Sequence, residues 1–301
     1  MPSRSLLLRR QRSWARRAGL TVDAAGYLPD VASNLRRPLS PAALADFTAR
    51  GAAEFHDGSR HVARMRAPHS STALAVNVFD HWNTADPAPL AEALDLSAPI
   101  RRIVFEPHLP TGLAGNPANP DILLEIGSGG LLAIECKFSE WLVPKRQRAG
   151  VFHERYFPPG RGAWHEAGLP ACQTLADDMQ AGREYFRYLD ARQLLKHALG
   201  LKASQAEQVA LIYLYFDWPG CLGDRHGAEI KRLTERTGTE LALRALTYQS
   251  LLLAMGAAPA LDYRTYLESR YGLSAQPPPD LDRDGDLTLA GDYGAGHRRH
   301  S

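Results

Sequence analysis

Asn119-Pro-Asp-Ile-Leu-Leu-Glu-Ile-Gly-Ser-Gly-Gly-Leu-Leu-Ala-Ile-Glu-Cys-Lys-Phe-Ser-Glu140 is the stretch on which the reading of this chain turns. Two apolar runs, 122–126 and 131–138, flank Gly127-Ser-Gly-Gly130. Glycines supply the positive-φ positions of a tight turn, so the pattern predicts a β-hairpin. Asp121 opens the first strand. Glu135 and Lys137 lie two apart in the second and so share one face, with Cys136 on the other. Carboxylates and an ammonium inside an apolar strand are costly unless they are paired or hold a metal. Two carboxylates suit a hard divalent cation such as Mg²⁺, and the Cys136 carbonyl offers a further oxygen. Lys137 can then orient a water or offset charge on a phosphate, a set suited to phosphodiester hydrolysis. A plain Glu-x-Lys pair on a solvated strand is the ordinary alternative.

Pro120-Asp121 followed by Glu135-Cys136-Lys137 resembles the motif of the PD-(D/E)XK nuclease superfamily. Within it, the chain is similar to an uncharacterised bacterial group. Further matching segments are His69 to Phe79, Phe105-Glu106-Pro107 and Ile134 to Glu140, with weaker ones at Arg192 to Leu195 and Arg244 to Tyr248. The resemblance implies a restriction-endonuclease-like α/β fold, a mixed central sheet flanked by helices, over roughly residues 40–273. It implies Mg²⁺ or Mn²⁺ held by Asp121 and Glu135 with the Cys136 carbonyl, and catalysis by Asp121, Glu135 and Lys137. Glu54 on an early helix and Glu106 at a strand end are candidates for an additional acid. Gln193, on a helix after the Glu-x-Lys strand, matches by position a polar residue that superfamily members bring to the site.

The 301 residues suit one large domain with extensions. A formal net charge of +2 gives no global field, so any attraction to nucleic acid must come from local patches. Cys136, Cys172 and Cys221 are odd in number and widely spaced, which excludes a disulfide framework and a common zinc site and suits a reducing cytoplasm. His153, His165 and Cys172 match no usual zinc spacing. No run approaches the ~20 apolar residues of a membrane span. Leu6-Leu7-Leu8 is too short for a secretory core.

Residues 1–39 are expected to be a basic arm, partly disordered. Arg4, Arg9, Arg10, Arg12, Arg16 and Arg17 come with no acid in the first twenty positions. Such a segment lies along phosphates, frays, or serves as an Arg-rich targeting signal. Ser40-Pro41 and Ser70 or Ser71 are helix starts. Asn77 reads as a structural amide. Ile100 to Glu106 is a strand, Gln208 to Asp217 a buried one, and Leu241 to Leu246 the last. Residues 141–168 interleave Lys145, Arg146, Arg148, Arg155 and Arg161 with Phe152, Tyr156, Phe157 and Trp164, either to track a nucleic-acid strand or to pack a loop. Pro170 to Gly200 is helical, in one or two parts. Residues 274–301 have the composition of a disordered tail.

The expected activity is a Mg²⁺-dependent nuclease, with DNA the preferred substrate and the choice between DNA and RNA left open. The expected partner is nucleic acid, with no membrane and with a homodimer left open. An inactive nucleic-acid-binding module of the same fold and a protein-interaction scaffold are the alternatives.

Overall fold

The computed structural model describes residues 2–50, 52–158, 160–256 and 261–273; the expected tail, 274–301, lies outside them. Five helices precede the sheet: α1 (Pro2–Arg17), α2 (Pro41–Ala49), α3 (Ala52–Phe55), α4 (Ser71–Phe79) and α5 (Ala88–Ala93). Strands β1 (Ile100–Phe105), β2 (Ile122–Ile126) and β3 (Gly130–Lys137) follow. Then come α6 (Ala163–Glu166), α7 (Pro170–Gln180), α8 (Ala191–Ala203), β4 (Gln208–Tyr215), α9 (Cys221–Thr237), β5 (Leu243–Thr247), α10 (Tyr248–Ala254) and α11 (Leu261–Tyr271). The helix starts obey their caps: Ser40 Oγ accepts from Ala43 N and Ser70 Oγ from Ala73 N.

The sheet runs β1-β2-β3-β4-β5. The first three strands are antiparallel neighbours, and β3-β4 and β4-β5 are parallel, so the sheet is mixed. The hairpin forms in the register its alternation demands, with Ile122 opposite Ile134 and Ile126 opposite Gly130. Of the turn glycines only Gly127 takes positive φ (+53°), a narrower use of glycine than the sequence suggested.

Alternation along each strand divides the core in two. Phe105, Leu124, Ile134, Cys136 and Leu214 face one side, with Phe47, Phe79, Leu251 and Leu267 from the helices. Val104, Leu123, Ala133, Leu211 and Tyr213 face the other, with Leu175, Leu194, Leu195 and Leu233. Glu135 and Lys137 continue the Ala133 side, toward α8. Helices therefore cover both faces of the sheet, which is the α/β architecture expected.

Residues 2–17 correct the expectation of an arm. Leu7, Gln11 and Ala15, at helical spacing, are buried. The Arg270 guanidinium on α11 bonds Gln11, donates to Asn34 Oδ1 (2.6 Å) and the Pro68 carbonyl (2.8 Å), and lies 3.6 Å from the centre of the Trp14 ring. Phe152, Tyr156 and Trp164 are buried and pack on one another, with Tyr156 and Trp164 stacked 5.2 Å apart, so these aromatics fasten the loop rather than stack bases. The helical region 170–200 is two helices, broken at 181–190. Asn77 is a structural amide: Nδ2 donates to the Asn34 carbonyl and to the Tyr271 hydroxyl, and Oδ1 accepts from Arg36 N.

Candidate active site

The open ends of β1, β2 and β3 meet at a cleft of about 510 Å³. Glu54, Glu106, Asp121, Glu135, Lys137 and Gln193 all line it. Local sequence explains how each arrives. Asp121 follows Pro120 and precedes the first strand residue, and its Oδ2 accepts from Cys136 N at 2.6 Å, which ties it to the strand beside Glu135. Cys136 sends its thiol into the core, so only its main chain reaches the site. Glu106 donates its backbone N–H to the Asp121 carbonyl (3.0 Å) and takes φ +48°. A non-glycine residue with positive φ is uncommon and here marks the turn that aims a third acid into the cleft.

Glu135 is 1% exposed. Lys137 Nζ bonds its Oε1, and His197 Nε2 lies 2.7 Å from its Oε2. Lys137 Nζ also donates to Gln193 Oε1 at 3.1 Å. Gln193 and His197 are four apart on α8 and so share a face. His197 was missed by the sequence reading. Its signal was that i,i+4 spacing, obscured by the likeness of a lone helical histidine to any core histidine.

Electrostatics follow from crowding Glu106, Asp121 and Glu135 around one ammonium, with Glu140 in the same wall also acting on Lys137. Burial, then Glu135, push the Asp121 carboxyl well above the usual range. Burial, then Glu54 and Glu135, push Glu106 up to about 8. Burial would raise Glu135 too, but Lys137 and His197 outweigh it and hold it below the ordinary value. Burial would lower Lys137, but Glu135 and Asp121 outweigh it and hold the ammonium well above the ordinary lysine range. Lys137 therefore carries its charge at neutral pH in this arrangement.

Glu54 reaches the cleft with both oxygens engaged, by Arg64 Nη1 at 2.8 Å and Thr72 Oγ1 at 3.1 Å. Among the described residues no three His, Cys, Asp or Glu side chains form a ready-made metal cluster. Lys137 instead pairs with Glu135, and its charge is felt at Asp121. A second hollow, lined by Lys145, Arg146, Arg148 and Arg192, lies beside Gln193 on α8. Arg60 and Arg64 line another that shares Tyr27 and Arg64 with the cleft.

A five-stranded mixed sheet flanked by helices, with acids and a lysine at the ends of adjoining strands, is compatible with a restriction-endonuclease-like domain. The chain belongs to the family described as restriction endonuclease associating with ARP, whose family model matches residues 36–272. That family lies within the restriction-endonuclease-like class and points to nuclease chemistry on nucleic acid. No curated protein and no solved structure matches the chain. No helix among the described residues is long and apolar enough to cross a membrane.

Proposed function

We propose that the chain is a Mg²⁺- or Mn²⁺-dependent nuclease that hydrolyses phosphodiester bonds in DNA. The observation that carries this reading is the convergence of Asp121, Glu135 and Glu106 on one cleft, with Lys137 as the charge that offsets them. Burial and neighbouring acids push the Asp121 and Glu106 carboxyls up, which leaves a demand for positive charge that a hard cation with oxygen ligands meets. Asp121 and Glu135 would hold it, with the Cys136 carbonyl and Glu106 as further oxygen donors. Glu54 is the weakest candidate, since Arg64 and Thr72 occupy its oxygens. When bound, such a cation supplies Lewis-acid polarisation of a phosphoryl oxygen and a more acidic water.

The chain's own residues supply the rest. Lys137, kept protonated by Glu135 and Asp121, donates to oxygen that gains negative charge as the phosphate is attacked, or orients the attacking water. Gln193 Oε1 fixes the direction of that ammonium. His197 fixes Glu135 from the opposite oxygen. The basic hollows beside the cleft supply phosphate contacts that carry no sequence information. DNA is favoured over RNA because the family is one of restriction endonucleases.

The test is incubation of the purified chain with supercoiled, linear and single-stranded DNA and with RNA, in Mg²⁺, Mn²⁺ or EDTA. Cleavage of DNA that EDTA abolishes is expected. Absence of cleavage of every substrate in either metal contradicts the reading.

A further inference from the structure

Helix α1 precedes the family's matched segment, which begins at residue 36, yet it contributes to the cleft wall through Arg4. Arg4 falls on the same helical face as Leu7, Gln11 and Ala15, the stripe buried against the domain. Three residues before Leu7 and seven before Gln11, it is turned toward the protein by the spacing that docks the helix. That docking is fixed at a distance by Arg270, which grips Gln11 and covers Trp14.

Charge accounting in the cleft singles Arg4 out. Of the three cations in its wall, Arg64 is paired with Glu54 at 2.8 Å and Lys137 with Glu135. Arg4 is half-buried and makes no hydrogen bond or ion pair among the described residues. Its field is nonetheless felt inside: burial, then Arg4, hold the imidazole of His69, another wall residue, down to about 4. A guanidinium held at the cleft without a carboxylate has five donors free to meet a tetrahedral anion.

We infer that Arg4 holds a substrate phosphate in the cleft, so that α1 is a working wall of the site rather than a basic tail. The inference rests on the nuclease reading for the identity of the anion, a phosphodiester of the nucleic-acid backbone. Arg4 is a binding and positioning residue: it contacts a non-bridging oxygen and sets where the strand lies relative to Lys137.

The full-length protein is compared with Arg4→Ala, Arg4→Lys and Arg17→Ala. Arg17 is an exposed residue at the far end of the same helix whose Nη1 bonds Ser13 Oγ. kcat and KM are measured on a DNA duplex, and affinity for that duplex in EDTA is measured by fluorescence anisotropy across a salt series. Arg4→Ala is expected to lower kcat/KM roughly 10- to 100-fold through loss of a charged hydrogen bond, and to reduce the log–log salt slope by about 1. Arg4→Lys recovers part of both, and Arg17→Ala behaves as wild type. Wild-type kinetics and salt slope in Arg4→Ala, or an equal loss in Arg17→Ala, overturn the inference. If the wild-type protein cleaves nothing, the nuclease reading fails, and anisotropy still decides the role of Arg4: weaker binding with a shallower slope supports it, and unchanged binding overturns it.

Discussion

His197 Nε2 sits 2.7 Å from Glu135 Oε2, and both side chains are shut away from solvent. A buried carboxylate between an imidazole and an ammonium cannot turn, so the pair fixes Glu135 in the one direction that presents Oε1 to Lys137 and the cleft. Among the described residues His197 Nδ1 has no hydrogen-bond partner, which leaves Glu135 as the ring's polar anchor. His197→Ala is expected to cost about 1.5–3 kcal/mol of stability through loss of a hydrogen bond to a charged group. It should also raise the metal concentration for half-maximal cleavage roughly 10- to 100-fold, as removal of a ligand's supporting partner does. Thermal melts and metal titrations of His197→Ala and His197→Gln check both, and the Gln variant recovers part of the metal response.

Arg270 makes a second, purely structural prediction. It is 1% exposed and serves acceptors on three separate segments, Gln11, Asn34 and Pro68. Arg270→Met strands those acceptors at about 1–3 kcal/mol each. The melting temperature is expected to fall by roughly 5 °C or more, with trypsin cleavage appearing first in the Arg-rich residues 2–17. Arg270→Lys rescues little, because an ammonium cannot reproduce the planar fork that meets three acceptors over Trp14.

Stability should fall on the acid side of neutrality through His226. Its ring is buried, stacks on Trp141 at 4.3 Å and bonds the Tyr213 hydroxyl at 2.9 Å. Burial, then Lys145, depress it to about 3, against 6.5 for a free imidazole. Above pH 6.5 the ring is neutral in both states and nothing is lost. Between pH 6.5 and 3 the unfolded chain takes up a proton that the folded chain refuses, so unfolding gains ground as pH falls. His69, held at about 4, adds in the same direction. Denaturant unfolding at pH 7.5 and 5 is expected to show a smaller stability loss in His226→Gln than in wild type.

Cation binding at the acids should release protons. Burial, Glu54 and Glu135 hold Glu106 up to about 8, so at pH 7 it is mostly protonated, and Asp121 is shifted in the same sense. A divalent cation favours the ionised forms, and the protons leave to solvent. Calorimetric titration with Mn²⁺ at pH 7 in two buffers of different ionisation enthalpy should give a release of about one proton or more. The release should shrink at pH 9 and in Glu106→Gln. Binding without proton release at pH 7 would show that the cation does not engage these acids.

Much of the fold is legible in the amino-acid sequence itself. The hairpin is, because period-two alternation around a glycine turn leaves one register that buries both strands. The shared face of Glu135 and Lys137 follows from the same period, and the arrival of Asp121 beside them from its place at the strand mouth. The role of α1 was not legible. Its stripe is only Leu7, Gln11 and Ala15, and its anchor is an arginine 259 positions away in sequence, of a type that is seldom buried. The Glu106 turn was hidden because positive φ at a glutamate has no sequence signature. The aromatics of 141–168 were ambiguous because packing and base stacking call for the same residue types, and only burial separates them.

The central claim is that the ends of β2 and β3 form a phosphodiester-cleaving centre in which Lys137 acts as a charged donor. The most direct measurement is the single-turnover cleavage rate of Lys137→Ala on duplex DNA in saturating Mg²⁺ or Mn²⁺, beside its DNA affinity and melting temperature. A fall of roughly 10²-fold or more in rate, with affinity retained and the fold intact, is predicted. Wild-type cleavage by a folded Lys137→Ala protein would contradict the account.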